Sequence, residues 1–153
     1  MVNVVLYQPE IPQNTGNIAR TCLLTGSVLH LIRPLGFQID SKTLLRAGMD
    51  YWEQVDIRIY DDWEDFVQTN KHPVIYMCET KTPHLYTDVA FLKDPFILFG
   101  RESKGIPAVM VEQYKATAIR IPMLPDTRSL NLANSVAIVV YEVLRQQGFE
   151  GMS

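Results

Sequence analysis

Six short apolar stretches recur along this chain, each cut off from the next by turn residues or by a helical pattern. Val2–Tyr7, Val28–Ile32, Val55–Tyr60, Val74–Cys78, Phe96–Phe99 and Thr117–Ile121 are rich in Val, Ile and aromatic residues, as buried strands are. Between them, Asn14–Thr25 stops at Gly26, Ser41–Ala47 stops at Gly48, and Asp61–Gln68 carries acids in its first turn, so three helices are predicted. Strand and helix in alternation point to an α/β fold, a mostly parallel sheet flanked by helices.

The length limits how much can be built on that sheet. With 153 residues, 47% hydrophobic and 10% aromatic, the chain has material for one core and little for a second. Residues 1–153 read as a single domain without linker, repeat or low-complexity segment. The balance of 14 Lys+Arg against 17 Asp+Glu, a formal −3, argues mildly against a free-standing nucleic-acid binder, though not against a local basic patch. Cys22 and Cys78 lie far apart, and His30, His72 and His84 complete no zinc pattern, so two buried thiols in a reducing compartment are expected. The N-terminus has no basic region followed by a long apolar run, and no stretch approaches the ~18 apolar residues of a membrane span. A soluble cytoplasmic protein with no membrane partner is the expectation.

The last helix, roughly Leu130 to Gln146, does not confine its apolar residues to one stripe. Leu130, Leu132, Ala133, Val136 to Val140, Val143 and Leu144 cover most of its circumference. A helix apolar all round needs cover on all sides, which points to a homodimer with this helix at the interface. A central core helix in a monomer is the alternative.

In α/β sheets ligands sit beyond the carboxyl ends of the strands, so the loops that follow strands are the place to search. The first, PEIPQNTGNIAR, offers Asn14 or Thr15 as a helix cap, Gly16 for close backbone approach, and Arg20 more than a turn into the helix. A capped helix with a solvated arginine fits the same residues. The second, ILFGRESKGIP, places Gly100, Glu102 and Gly105 directly after a strand, with Pro107 suited to open the next helix. It is neither GxGxxG nor a P-loop, and a plain strand-to-helix loop has a similar composition. In the third, RIPMLPDTRSLNLANS, Pro122 and Pro125 hold the chain extended while Asp126, Ser129, Asn131 and Asn134 bring polar side chains to a helix start. Those polar groups either meet a ligand or form an N-cap, for which Asp126 or Ser129 is suited.

Taken as an ordered set, the three motifs resemble those of the SPOUT superfamily of RNA methyltransferases. The first resembles N-x-G-N-I-x-R, the second G-x-E-x-x-G-h-P, and the third I-P-M…S-L-N-L…A. They span the whole length and leave no residues for an appended RNA-binding domain. The minimal length and LYQPEIPQNTGNIAR are most similar to the branch that methylates the ribose 2′-hydroxyl of tRNA nucleotide 34, a cytidine or uridine.

The resemblance implies a C-terminal deep trefoil knot, which neither periodicity nor spacing reveals. It implies that the knot loops bind S-adenosyl-L-methionine without a metal, with Cys78, Gly100, Glu102, Ile121, Met123, Ser129 and Leu130 in the cofactor pocket. Cys78 there suits pocket lining or a buried structural role better than reactivity, and Glu102 suits organisation of the knot loop better than proton transfer. The catalytic set implied is Arg20, with Ser129 and Asn131 orienting either the ribose or Arg20 itself. Because a guanidinium stays protonated, Arg20 is read as a stabiliser of the developing alkoxide. Arg20, Arg46, Arg101, Lys104 and Arg128 are the candidate RNA contacts, and the anticodon stem-loop of tRNA, with leucine tRNAs foremost, is the implied partner. Arg101 and Lys104 add charge beyond the family pattern. Other readings are an enzyme for another tRNA or rRNA ribose, a catalytically silent RNA-binding dimer and, remotely, an oxidoreductase lacking the glycine fingerprint.

Overall fold

A computed structural model describes residues 1–46 and 50–153. In chain order the elements are β1 (Asn3–Tyr7), α1 (Pro12–Thr25), β2 (Val28–Ile32), α2 (Ser41–Arg46), β3 (Ile57–Tyr60), α3 (Trp63–Thr69), β4 (Ile75–Cys78), β5 (Phe96–Phe99), α4 (Ala108–Tyr114), β6 (Ala118–Ile119) and α5 (Leu132–Gln146). The strands form one six-stranded sheet in the order β3-β2-β1-β5-β4-β6, and its neighbouring strands all pair in parallel. The α/β architecture expected from the alternation is present. Strand order reverses between β1 and β5, and in α/β sheets ligand sites gather near such a point at the carboxyl ends of the strands.

The pleat divides the core between the two faces of the sheet. Val4 and Leu6 of β1 join α1 and α5 on one face through Ile18, Ala19, Val136, Val139, Val140 and Val143. Val5 faces the other way, into the cluster with Phe66 of α3 and Met110 of α4. The α5 helix therefore finds much of its cover within its own chain. Ala137 and Ile138 are half-buried and Tyr141 is 44% exposed, so the outward side of the helix is small and mixed in character.

Several boundaries differ from the sequence expectation for identifiable reasons. The α1 helix starts at Pro12 in the first helical position with Ile11 as a cap that supplies no side chain, and Asn14 and Thr15 lie buried inside the helix, so neither caps it. The α5 cap is Asn131, not Asp126 or Ser129. Its Oδ1 accepts from the N–H groups of Ala133 (2.8 Å) and Asn134 (3.3 Å), a reach open only to the residue that directly precedes the helix. Before β3, Trp52–Gln54 make a 3-10 turn, and Lys115–Thr117 make another before β6, which shortens both strands. Ala47 and Gly48, the expected end of the second helix, lie outside the described residues.

A buried histidine fixes one pH response. His30 is fully buried in β2, with Nε2 2.9 Å from Asn3 Oδ1 and Nδ1 2.9 Å from the Tyr60 hydroxyl. Asn3 Nδ2 donates to the Asp94 carbonyl, so Oδ1 accepts and the neutral His30 ring donates through Nε2. Burial pushes its pKa down to about 4, with Arg58 adding to the effect. The unfolded chain takes up this proton near pH 6.5 and the folded chain only near 4, so stability is complete above 6.5 and declines as pH falls. On the order of 3 kcal/mol is lost across that window. Urea midpoints measured from pH 7 to 4.5 should fall in the parent chain and stay nearly level in His30→Gln; a parent chain with level midpoints contradicts the assignment.

Candidate active site

Beyond the carboxyl ends of β4, β5 and β6 lies a cleft of about 800 Å³. One wall is the end of β4 with Cys78 to Lys81, and a second is the loop from Gly100 to Pro107 after β5. The third consists of Ile121, Met123, Ser129 and Leu130 from the elbow before α5. The chain reaches that elbow through a grip on Arg120: its N–H donates to the His84 carbonyl, its carbonyl accepts from Tyr86, and its Nε donates to the Thr82 carbonyl (2.8 Å). Beyond it, Pro122–Leu130 are exposed, and Asp126 takes a left-handed turn with φ +61°.

The loop after β5 closes on itself. Arg101 and Gly105 exchange backbone hydrogen bonds of 3.2 and 2.9 Å, and Arg101 Nε also donates to the Gly105 carbonyl. A Cβ on Gly100 would lie 2.4 Å from the Gly105 carbonyl carbon and 2.5 Å from the Ile106 nitrogen. The close approach that this glycine permits is to the protein's own backbone. The Arg101 guanidinium then stacks 5.6 Å over the Tyr7 ring.

Two carboxylates cross-link this loop to the start of α1. Glu102 accepts from the N–H groups of Glu10 (2.8 Å) and Ile11 (3.1 Å), and Glu10 accepts from the Ser103 N–H (3.0 Å) and hydroxyl (2.8 Å). The Ser103 hydrogen bonds hold the Glu10 carboxyl below the usual carboxylate range, with Arg101 and Lys104 contributing. Glu102 thus supplies the hydrogen-bond acceptor at α1's entry that no residue within the helix provides. A further link joins α1 to the third wall: Asn131 Nδ2 donates to Asn14 Oδ1 at 3.0 Å.

The residues singled out from the sequence fall into two groups. Cys78, Gly100, Glu102, Ile121, Met123, Ser129 and Leu130 line the cleft together with Arg101 and Lys104. Arg20, Arg46, Asn131 and Arg128 do not line it. Arg20 is exposed on α1, Arg46 is exposed at the end of α2, Arg128 lies in the exposed elbow, and Asn131 stands at the α5 start. None of the five cationic residues forms an ion pair among the described residues. Burial, aided by Glu79, pushes the Cys78 thiol up to about 12, so it is a neutral wall of the cleft and no nucleophile. No group of three or more His, Cys, Asp or Glu among the described residues is arranged to hold a metal ion, and no helix there is long and apolar enough to cross a membrane.

Sequence reasoning overlooked Glu10, Ser103 and Tyr51. Glu10 stands inside the first motif and Ser103 inside the second, but their pairing spans 93 residues and has no local signature. The Tyr51 hydroxyl donates to the Gly16 carbonyl, the group that α-helical geometry pairs with the N–H of Arg20.

A model for the SpoU rRNA Methylase family matches residues 1–141. A Burkholderia cenocepacia protein named tRNA (cytidine(34)-2′-O)-methyltransferase is 47% identical over 154 residues, covering 99% of this chain and 99% of its own. A solved structure concerned with the 2-OH methylation of C/U34 on tRNA superposes with a TM-score of 0.90 at 40% identity, covering 98% of each chain. An AdoMet-bound rRNA methyltransferase from Sinorhizobium meliloti superposes with a TM-score of 0.82 at 25% identity, covering 94% of this chain and 56% of that one.

Proposed function

Because the chain belongs to the SpoU rRNA methylase family, we propose that it transfers the methyl group of S-adenosyl-L-methionine to the ribose 2′-hydroxyl of nucleotide 34, a cytidine or uridine, in tRNA. The observation that carries the reading is the cleft, bounded by backbone-rich loops and set beside a helix that displays an unpaired arginine among the described residues. Its volume of about 800 Å³ suits a small-molecule cofactor. Its lining has the chemistry for this one: Ile121, Met123 and Leu130 are apolar enough to face adenine, whereas Lys81, Arg101 and Lys104 supply cations for a carboxylate.

S-adenosyl-L-methionine, when bound, would supply an electrophilic sulfonium methyl and keep the bonding pair on sulfur as a neutral thioether leaving group. The ribose hydroxyl would give its proton to solvent water, and its oxygen, with negative charge gathering on it, would form the new bond to carbon. Arg20 stabilises that charge and the adjoining phosphate, Ser129 orients the ribose from the cleft wall, and Asn131 acts through α1 by its bond to Asn14. Glu102 organises the loop and Cys78 closes the adenosine side. Arg46, Arg101, Lys104 and Arg128 contact the anticodon stem-loop.

The proposal includes a deep trefoil knot and a cytoplasmic homodimer through α5. The grip of residues 82–86 on Arg120 suits a chain threaded through the 79–95 loop. Tyr141 and Ile138 on α5, with Leu24 (67% exposed) on the helix packed against it, offer apolar surface to a second copy. The test is transfer from labelled S-adenosylmethionine to tRNA lacking its ribose methyls, with nuclease mapping of the product. Label on the ribose of nucleotide 34 is expected. Label on another ribose keeps the chemistry and removes the wobble assignment, and no label on any tRNA removes both.

A further inference from the structure

Resting on that reading, we propose that Glu10 is a positioning residue that couples occupancy of the cleft to the placement of Arg20. Arg20 does not line the cleft, yet the helix that carries it is tied to two of the cleft's walls. At the N-terminus of α1, Glu102 holds the N–H groups of residues 10 and 11, and Glu10 holds Ser103 in return. One turn on, Asn14 is held by Asn131, which follows directly on the wall residues Ser129 and Leu130.

Each tether ends on a body held together by its own backbone hydrogen bonds. The Gly100–Gly105 loop is closed by its own hydrogen bonds and packed backbone against backbone, so a ligand that presses on it shifts Ser103 and Glu102 together. The α1 helix is a continuous rod from Pro12 to Thr25, and Arg20 stands about 13 Å along it from Ile11 at 1.5 Å per residue. A rod passes a displacement at its end to its middle with little loss. Of the two carboxylates, Glu102 lines the cleft itself and a change there alters the cavity. Glu10 does not line it, and among the described residues its carboxylate takes its hydrogen bonds from Ser103. Its carboxylate accepts both the Ser103 N–H and the Ser103 hydroxyl, and Glu10→Ala removes both acceptors at once.

The experiment measures the affinity for an anticodon stem-loop RNA with and without saturating S-adenosylhomocysteine, in the parent chain, Glu10→Ala and Ser103→Ala. Cofactor product should tighten RNA binding by about tenfold in the parent chain, within the usual range of coupling between sites. In both variants the ratio should fall to about twofold or less. The single-turnover rate at saturating RNA and cofactor should drop about tenfold, while in Glu10→Ala, which leaves every cleft-lining residue in place, cofactor affinity stays within about threefold. Ser103 is exposed, so its variant reports even if Glu10→Ala folds poorly. A parent-sized coupling ratio in both variants, or a loss of cofactor affinity in Glu10→Ala as large as its loss of rate, overturns the proposal. A parent chain that binds no S-adenosylmethionine overturns the function reading and this proposal with it. A parent chain that methylates tRNA while showing no coupling overturns this proposal alone.

Discussion

Gly100→Ala is expected to weaken S-adenosylmethionine binding by about 100-fold or more and to lower the stability of the whole chain. The new methyl group would sit 2.4 to 2.8 Å from three backbone atoms of Gly105 and Ile106. A flexible side chain can swing away from such a clash, but these atoms belong to a loop already closed by the Arg101–Gly105 hydrogen bonds. Relief requires the loop to open, which separates the second wall of the cleft from the first. Overpacking of this kind costs about 1–3 kcal/mol, to which the lost loop hydrogen bonds add. Gly105→Ala makes the control. Gly105 has φ +64° with nothing within 4 Å of its would-be Cβ, so alanine there meets only the left-handed backbone cost of about 1 kcal/mol and leaves the wall in place. Calorimetric titration with the cofactor and urea unfolding of both variants check the contrast. Parent-like cofactor affinity in Gly100→Ala removes this loop from the binding site.

The same glycine shows where sequence reading stopped. Its position after an apolar strand announced a close approach, but the object approached, the backbone five residues ahead, depends on how the loop closes. The runs Val28–Ile32 and Phe96–Phe99 became β2 and β5 without change, because a strand covered on both faces is buried along nearly its whole length, with His30 the one polar exception in β2, and ends where that cover ends. The start of α1 was misplaced for a related reason. Cap rules look for a side chain within a few residues, and this helix is met instead by Glu102, 91 residues away from Ile11. The β6 strand starts late because Lys115–Thr117 form a 3-10 turn closed by the Ala118 N–H on the Lys115 carbonyl, while the Thr117 hydroxyl donates to the Ile75 carbonyl of β4, a contact with no local signature. Strand order was out of reach altogether, since Val4 and Ile97 become neighbours through closure of a long loop that no local pattern records. The three motif loops were legible because each follows a strand; that two of them clasp each other was not.

Arg20→Ala is expected to lower the rate of methyl transfer by about 10²–10³-fold, the scale on which a single preorganised donor to a developing oxyanion acts. Cofactor affinity should remain within about twofold and the unfolding midpoint should not move, because Arg20 is exposed, does not line the cleft and pairs with no carboxylate among the described residues. Arg20→Lys separates the two parts of its role. A lysine restores the single positive charge and with it most of the affinity for tRNA phosphate, but it offers a point charge where guanidinium presents a planar fork that can span phosphate and alkoxide together. Its rate should therefore stay about tenfold or more below that of the parent chain even at saturating tRNA. The anchoring of this helical turn by Tyr51 sharpens the expectation, since a lysine on a correctly held backbone fails only through its own geometry. Single-turnover rates and filter-binding affinities for the parent chain and both variants make the measurement. Parent-like turnover in Arg20→Lys reduces the arginine to its charge; parent-like turnover in Arg20→Ala removes it from the reaction and leaves the cleft in search of another stabilising group.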